Sequence, residues 1–206
     1  MSVTPKPAGR HHHGALRRAL LDAVAEVVLE AGPEAVTLRE CARRVGVSHS
    51  AATPHFGDKR GLLTAFAHEG SERLRAAMEA ATAALPEEAD AQARLAATGR
   101  GYFAFARANP AHFRLMFRSD LLDRAEPEFR AANDAAFAPL ARAMAAVAPG
   151  ASERAMRARL ALAWSAVHGF CALRAEQPDG LLWNSEARAA EVGEDLVALV
   201  VRACAV

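Results

Sequence analysis

The feature that most constrains this chain is the segment from Thr37 to Leu63, TLRECARRVGVSHSAATPHFGDKRGLL. Thr37 stands three residues before Glu40, the spacing of a capping box, so a helix starts there. Leu38, Ala42 and Val45 recur at helical spacing, which makes one face apolar and turns Arg39, Arg43 and Arg44 outward. Gly46 breaks the run, because glycine takes a positive φ without steric cost. Val47 plugs the joint, and Ser48 caps a second short helix from His49 to about Phe56. Gly57-Asp58 ends that helix and caps the next. Two short helices joined by a tight glycine turn form a helix-turn-helix, whose second member enters the DNA major groove.

The rest of the chain reads as helix too. About a quarter of the 206 residues is alanine, the best helix former, and proline falls mostly between long runs. The expected class is all-α: an N-terminal three-helix domain built on the helix-turn-helix and a C-terminal helical bundle. The expected boundaries are a disordered arm over residues 1–13, the helix-turn-helix domain over 14–60, and the bundle over 61–206. A first helix runs from about Gly14 to Ala31 and completes a three-helix core with Val36, Leu38, Val45, Val47 and Phe56. A long helix from Asp58 to about Leu85 follows, then one opening at Pro86-Glu87-Glu88 and ending at Asn109. A short helix Ala111–Phe117, a longer one from Pro127 to Val147 kinked at Pro139, and two closing helices, Ser152–Glu176 and Asn184–Ala203, complete the order.

No stretch of about 18 apolar residues free of charge occurs, so no membrane span is expected. The N-terminus has no apolar core of a secretion signal. Cys41, Cys171 and Cys204 are scattered and odd in number, which implies no disulfide framework and makes the cytoplasm the default compartment. No paired carboxylates, nucleophile–base pair or metal spacing is present, so neither catalysis, a metal nor a cofactor is expected; the run His11-His12-His13 has no partner ligands at zinc spacing. Residues 1–70 carry nine basic against seven acidic side chains, a weak lean toward nucleic acid at that end. Lys6 and Arg10 could add phosphate or minor-groove contacts from the arm.

Thr37, Ala42, Gly46, Val47 and Ser48 spell a T-x-x-x-x-A-x-x-x-G-V-S core, followed by His55-Phe56, Asp58-Lys59 and Leu62-Leu63. These residues, with the lead-in His12-His13-Gly14-Ala15-Leu16-Arg17, resemble the tetracycline-repressor-like family of bacterial transcriptional regulators. The stretch Ala108 to Phe117, ANPAHFRLMF, and Trp164-Ser165-Ala166-Val167-His168-Gly169 resemble the sensor domains of the subfamily named for its Trp-His-Gly motif. The resemblance implies a homodimer formed through the last two helices, a pseudo-palindromic double-stranded operator, and a small-molecule effector whose identity does not follow. It also implies a repressor more readily than an activator.

Groove-facing candidates are His49, Ser50, Thr53 and His55, each able to donate or accept hydrogen bonds, with Ser48 at the start of the same helix. His55 could instead lie half-buried beside Phe56. Lys59 stands where family members place a phosphate-contacting lysine, and Thr37 and Arg39 are further phosphate candidates. Two residues depart from the family: many members have Tyr where Thr53 stands, and Pro54 lies inside the recognition helix. A proline there removes a donor and crowds the carbonyl four residues back, at about 3 kcal/mol in a regular helix. A distortion at residues 53–55 is therefore expected, and with it an alternative function: a ligand-binding protein whose DNA binding is impaired or lost. The ligand candidates are the convergent Tyr102, Phe105, Phe113, Met116, Phe117, Phe137, Trp164, His168 and Cys171, whose scarcity of charge suits a neutral, largely apolar molecule.

Overall fold

The computed structural model describes residues 9–177, 180 and 182–205, with side chains from residue 14 onward. Residues 1–8, with Lys6, and the side chains of Arg10 and His11–His13 lie outside what it describes. Among the described residues all regular structure is helical. The elements are α1 (Gly9–Ala31), a 3-10 turn (Pro33–Ala35), α2 (Leu38–Arg44), α3 (His49–Phe56), α4 (Lys59–Ala83), α5 (Ala91–Ala108), α6 (Pro110–Met116), α7 (Pro127–Val147), α8 (Glu153–Glu176) and α9 (Glu186–Cys204).

Most boundaries follow from capping. Ser152 and Ser185 receive the N–H groups of Ala155 and Arg188 at 3.3 and 3.2 Å, which starts α8 and α9. Asn109 closes α5, its N–H bonded to Phe105 O at 2.9 Å, and Pro110 opens α6. Two starts differ from expectation. Helix α1 begins at Gly9, so the N-terminal arm is helical from there rather than from residue 14. Helix α5 begins at Ala91 and not at Pro86, because Asp90 is the better cap: its Oδ1 accepts from Ala93 N at 2.7 Å. The Arg94 guanidinium then donates to Ala89 O and Glu87 O, which holds residues 86–90 as a turn. Pro54 and Pro139 both lie inside continuous helices, α3 and α7. The distortion expected at residues 53–55 does not interrupt α3, which runs on to Phe56.

Packing divides the chain into two units, each made of two stretches: residues 1–70 with 111–130, and residues 71–110 with 131–206. In the first unit α1 buries Leu20, Leu21, Val24, Val27 and Val28, joined by Val36, Leu38, Cys41, Ala52, Leu62, Leu63 and Phe66. Val45, Val47 and Phe56, expected in this core, are only half-buried. Helix α3 sends Ala52 inward instead, while Phe56 sits at the rim with the Arg17 guanidinium 5.4 Å from its ring centre.

In the second unit Leu95, Met144, Ala163, Val197, Val201 and Cys204 form one buried cluster. Trp183, just before α9, is 3% exposed. Its indole N–H donates to Gln177 O at 2.8 Å, and its ring meets Phe170 edge-on at 5.4 Å. Gly101 lets α5 approach α4 closely: a Cβ there would stand 2.6 Å from Met78 Cα and 2.7 Å from Ala77 O. Both atoms are backbone, so no rotamer change relieves the clash. Alanine ordinarily favours a helix over glycine by about 1 kcal/mol. At Gly101 overpacking wins: Gly101→Ala should destabilise the protein by about 1–3 kcal/mol in urea unfolding, through a lower midpoint at unchanged slope.

Candidate nucleic-acid interface and effector site

Both short helices of the first unit start on hydroxyl caps. Thr37 Oγ1 accepts from Glu40 N at 3.1 Å, and Ser48 Oγ accepts from Ala51 N at 3.2 Å. Gly46 joins them at φ 73°, its N–H bonded to Arg43 O at 3.2 Å. The acidic half of the expected capping box is otherwise engaged. The Glu40 carboxylate receives Arg43 at 2.7 and 2.8 Å and Arg44 at 3.0 Å. These bonds, Arg43 first, hold its carboxyl down at about 2. Arg44, expected to face outward, reaches across to α1. Its two terminal nitrogens meet the two oxygens of Glu30 at 2.9 and 2.6 Å, a bidentate pair. Helix α2, and with it the base of α3, is thereby fastened to α1.

On α3, His49 and Ser50 are exposed, and Thr53 and His55 are half-buried. Ser50 Oγ shares a hydrogen bond with Ser48 Oγ at 2.9 Å, and Thr53 Oγ1 donates to His49 O at 3.0 Å. The His55 ring lies 6.1 Å from that of Phe56, the half-buried placement left open by sequence. Thr37 and Arg39 are exposed at the start of α2. Lys59 folds back: its ammonium donates to Glu34 O, in the 3-10 turn, at 2.7 Å. The Glu34 carboxylate pairs with Arg118, which pairs in turn with Asp120 at 2.9 Å. Asp123 N donates to Thr64 Oγ1 at 2.9 Å. The segment after α6 is thus clasped to the 3-10 turn and to the start of α4. No sequence pattern signals this clasp, since Glu34 and Arg118 stand 84 positions apart.

The effector candidates fall in both units. In the second, Tyr102 Oη lies 2.8 Å from His168 Nδ1, with the rings edge to face at 6.3 Å. Burial lowers the basicity of His168, which favours the neutral imidazole. Burial also raises Tyr102, with the nearby Cys171 adding to the shift and a hydrogen bond from Trp164 opposing it. Tyr102 Oη and His168 Nδ1 share one hydrogen bond, whose direction is set by the imidazole tautomer. Trp164 is 39% exposed, its ring 5.3 Å from Phe137. Phe105 and Cys171 are buried, and burial pushes the Cys171 thiol up to about 12. Phe113, Met116 and Phe117 belong to the first unit, where Phe113 and Phe117 pack edge to face at 5.8 Å.

One buried polar residue was not singled out by sequence. His112 of α6 is 5% exposed and stacks on Phe66 at 3.9 Å, 11° from parallel. Its Nε2 lies 3.8 Å from Glu69, which also takes Arg18 at 2.6 Å. Cys41 is fully buried, and that burial pushes its thiol up to about 11. Among the described residues no group of three or more His, Cys, Asp or Glu is placed to hold a metal ion, and no helix is long and apolar enough to cross a membrane.

Comparison with known proteins places this geometry. Residues 20–66 match the model of bacterial regulatory proteins, tetR family, and residues 95–200 match the tetracyclin repressor-like C-terminal domain. The HTH-type transcriptional regulator BetI of Escherichia coli is 39% identical over 87 residues, 42% of this chain and 44% of BetI. The match thus spans less than half the length of that curated relative. A protein of unknown function from Rhodococcus sp. RHA1 superposes with a TM-score of 0.77 at 29% identity, over 95% of this chain and 98% of that one. The TetR family transcriptional regulator PfmR from Thermus thermophilus does so with a TM-score of 0.63 at 25% identity, over 89% and 97%. The C-terminal model takes in half of the sequence and the N-terminal one takes in the helix-turn-helix: the chain belongs to the tetR family of bacterial regulatory proteins.

Proposed function

We propose that this protein is a ligand-responsive repressor that binds a pseudo-palindromic DNA operator as a homodimer and leaves it when a small, largely apolar molecule occupies the second unit. The observation that carries the reading is the pair of hydroxyl-capped helices around Gly46, with the outer face of α3 exposed. Ser48, His49, Ser50, Thr53 and His55 are the residues of that helix assigned to the groove, and Thr37, Arg39 and Lys59 those assigned to phosphate. Lys59 must exchange the Glu34 carbonyl for a phosphate oxygen, a neutral acceptor for an anionic one. The alternative, a ligand-binding protein that has lost DNA binding through Thr53 and Pro54, is separated from this reading by the binding measurement below; α3 itself runs unbroken through Pro54.

The dimer is assigned to α8 and α9. Leu162 and Leu173 on α8 and Leu199 on α9 are 45%, 46% and 56% exposed in the single chain. Large apolar side chains shared by two neighbouring helices suit burial against a second copy. Such a dimer sets its recognition helices about one DNA turn apart, roughly 34–36 Å. An effector lowers operator affinity if it binds more tightly to a conformer with a different spacing, with an expected coupling of about 1–3 kcal/mol. Helix α4, continuous from Lys59 to Ala83 and shared by both units, is the covalent path for that change. Tyr102, Phe105, Phe137, Trp164, His168 and Cys171 are the effector residues proposed, all in the second unit, whereas the remaining candidates Phe113, Met116 and Phe117 belong to the first. The buried members carry no formal charge, which suits a neutral ligand. As a member of a family of regulators the protein is assigned no catalytic activity, and the cytoplasm is its expected compartment.

The reading is tested with DNA from just upstream of the gene and with duplexes enriched from a random library, by fluorescence anisotropy across a salt series. Specific binding should weaken steeply with salt, and Lys59→Ala should flatten the log–log slope by about 2, one phosphate contact per protomer. An unchanged slope would remove Lys59 from the interface. Leu199→Glu should turn the dimer into a monomer in analytical ultracentrifugation and weaken operator binding together with it. For the effector unit, His168 has a folded pKa below its ordinary value of 6.5. Its contribution to stability is therefore present above that value and is lost as pH falls through the lower, folded one. Thermal stability should drop more steeply from pH 7 to pH 5 in the natural protein than in His168→Gln; parallel profiles would contradict the neutral assignment.

A further inference from the structure

The direction of α3 is fixed by its one buried residue, Ala52, which is 0% exposed. At 3.6 residues per turn Pro54 lies about 200° further round, nearly opposite. Pro54 is accordingly exposed, with exposed Ser50 and half-buried Ala51 on either side of it. Proline is thus not a tolerated blemish at the edge of the recognition helix but the centre line of its outer face.

The chemistry of that face is unusual for a reader of base edges. From His49 to Phe56 there is no arginine, lysine, asparagine, glutamine or acidic residue. The side chains that recognise guanine or adenine through two parallel hydrogen bonds are therefore absent from α3. The hydroxyls are partly committed already, Thr53 to His49 O at 3.0 Å and Ser50 to Ser48 at 2.9 Å. Besides the exposed His49 and Ser50, the outer face offers the pyrrolidine ring of Pro54, with the methyls of half-buried Ala51 and Thr53 near it. In the major groove one base feature is apolar, the C5-methyl of thymine.

Resting on the DNA-binding reading above, we propose that Pro54, with Ala51 beside it, is a specificity-determining residue that packs against a thymine methyl in each half of the operator. Proline suits this role because its ring is rigid and brings no donor that a wrong base could satisfy. Removing a contacted methyl forfeits the burial of one carbon, about fourfold in affinity, and more than tenfold when one is lost from each half-site.

The test uses the full chain and DNA duplexes it enriches from a random library. The enriched duplex is remade with deoxyuridine in place of thymidine, one symmetric pair of positions at a time, and affinities are measured at fixed salt. Deoxyuridine lacks the methyl and keeps every hydrogen-bonding group. The expected result is a symmetric pair where the change weakens binding by about tenfold or more in the natural protein. That loss should shrink to twofold or less in Pro54→Ala and in Pro54→Gln, neither of which disturbs a buried contact. If no pair of positions responds, or if the loss persists unchanged in both variants, the proposal is overturned while DNA binding stands. If the library yields no enriched duplex, the DNA-binding reading falls, and this inference falls with it.

Discussion

Much of the first unit depends on how the chain leaves α2. At Gly46 it takes φ 73°, and the next N–H, that of Val47, turns back to Ala42 O at 2.9 Å. That pair of events ends one helix and aims the next within two residues. A side chain at Gly46 would meet no neighbour, so the constraint is conformational rather than steric. The direction it sets is then held from outside: Arg44, the last residue of α2, ties that end to Glu30 of α1. Backbone geometry chooses the angle, and a bidentate ion pair on the surface keeps it. Solvent screens exposed pairs of this kind, so the second contribution is one of orientation more than of strength.

The second unit solves a different problem, which is how to keep a polar pair inside an alanine-rich bundle. Tyr102 and His168 come from α5 and α8 and satisfy one another at 2.8 Å. Two groups that each bury a polar atom at a penalty when alone become compatible with an apolar surround when paired. The same burial lowers the basicity of His168 and raises the Cys171 thiol, favouring the uncharged form of each.

Local chemistry was legible and long-range chemistry was not. Thr37, Ser48 and the Asn109-Pro110 step each announce a helix end within three or four residues, and the structure places those ends there. The start of α5 is ambiguous in sequence because Pro86 and Asp90 are both good openings, and Arg94, through its bonds to Glu87 O and Ala89 O, holds the turn that favours Asp90. Arg44 was misread for a related reason. Helical spacing put it on the outer face of α2, yet its stem is long enough to reach a neighbouring helix. Of the site residues, the helix-turn-helix positions could be named from their spacing, whereas the effector candidates could only be gathered as aromatics, and these turn out to be distributed over both units. The engagement of Lys59 with Glu34 O, the clasp through Arg118, and the stacking of His112 on Phe66 left no trace in the sequence pattern.

The membership of α6 in the first unit bears on how such regulators could be recombined. His112, Leu115 and Met116 are each 5% exposed or less, and Phe129, further along the same stretch, is 4% exposed. Of these, His112 stacks directly on Phe66 at 3.9 Å. A chimera joined shortly after the helix-turn-helix would carry α2 and α3 but leave behind residues 111–130, and with them part of the first unit's core. The portable piece is discontinuous in sequence, so grafting a new second unit onto it means conserving a second, distant stretch of chain, or redesigning it to fit.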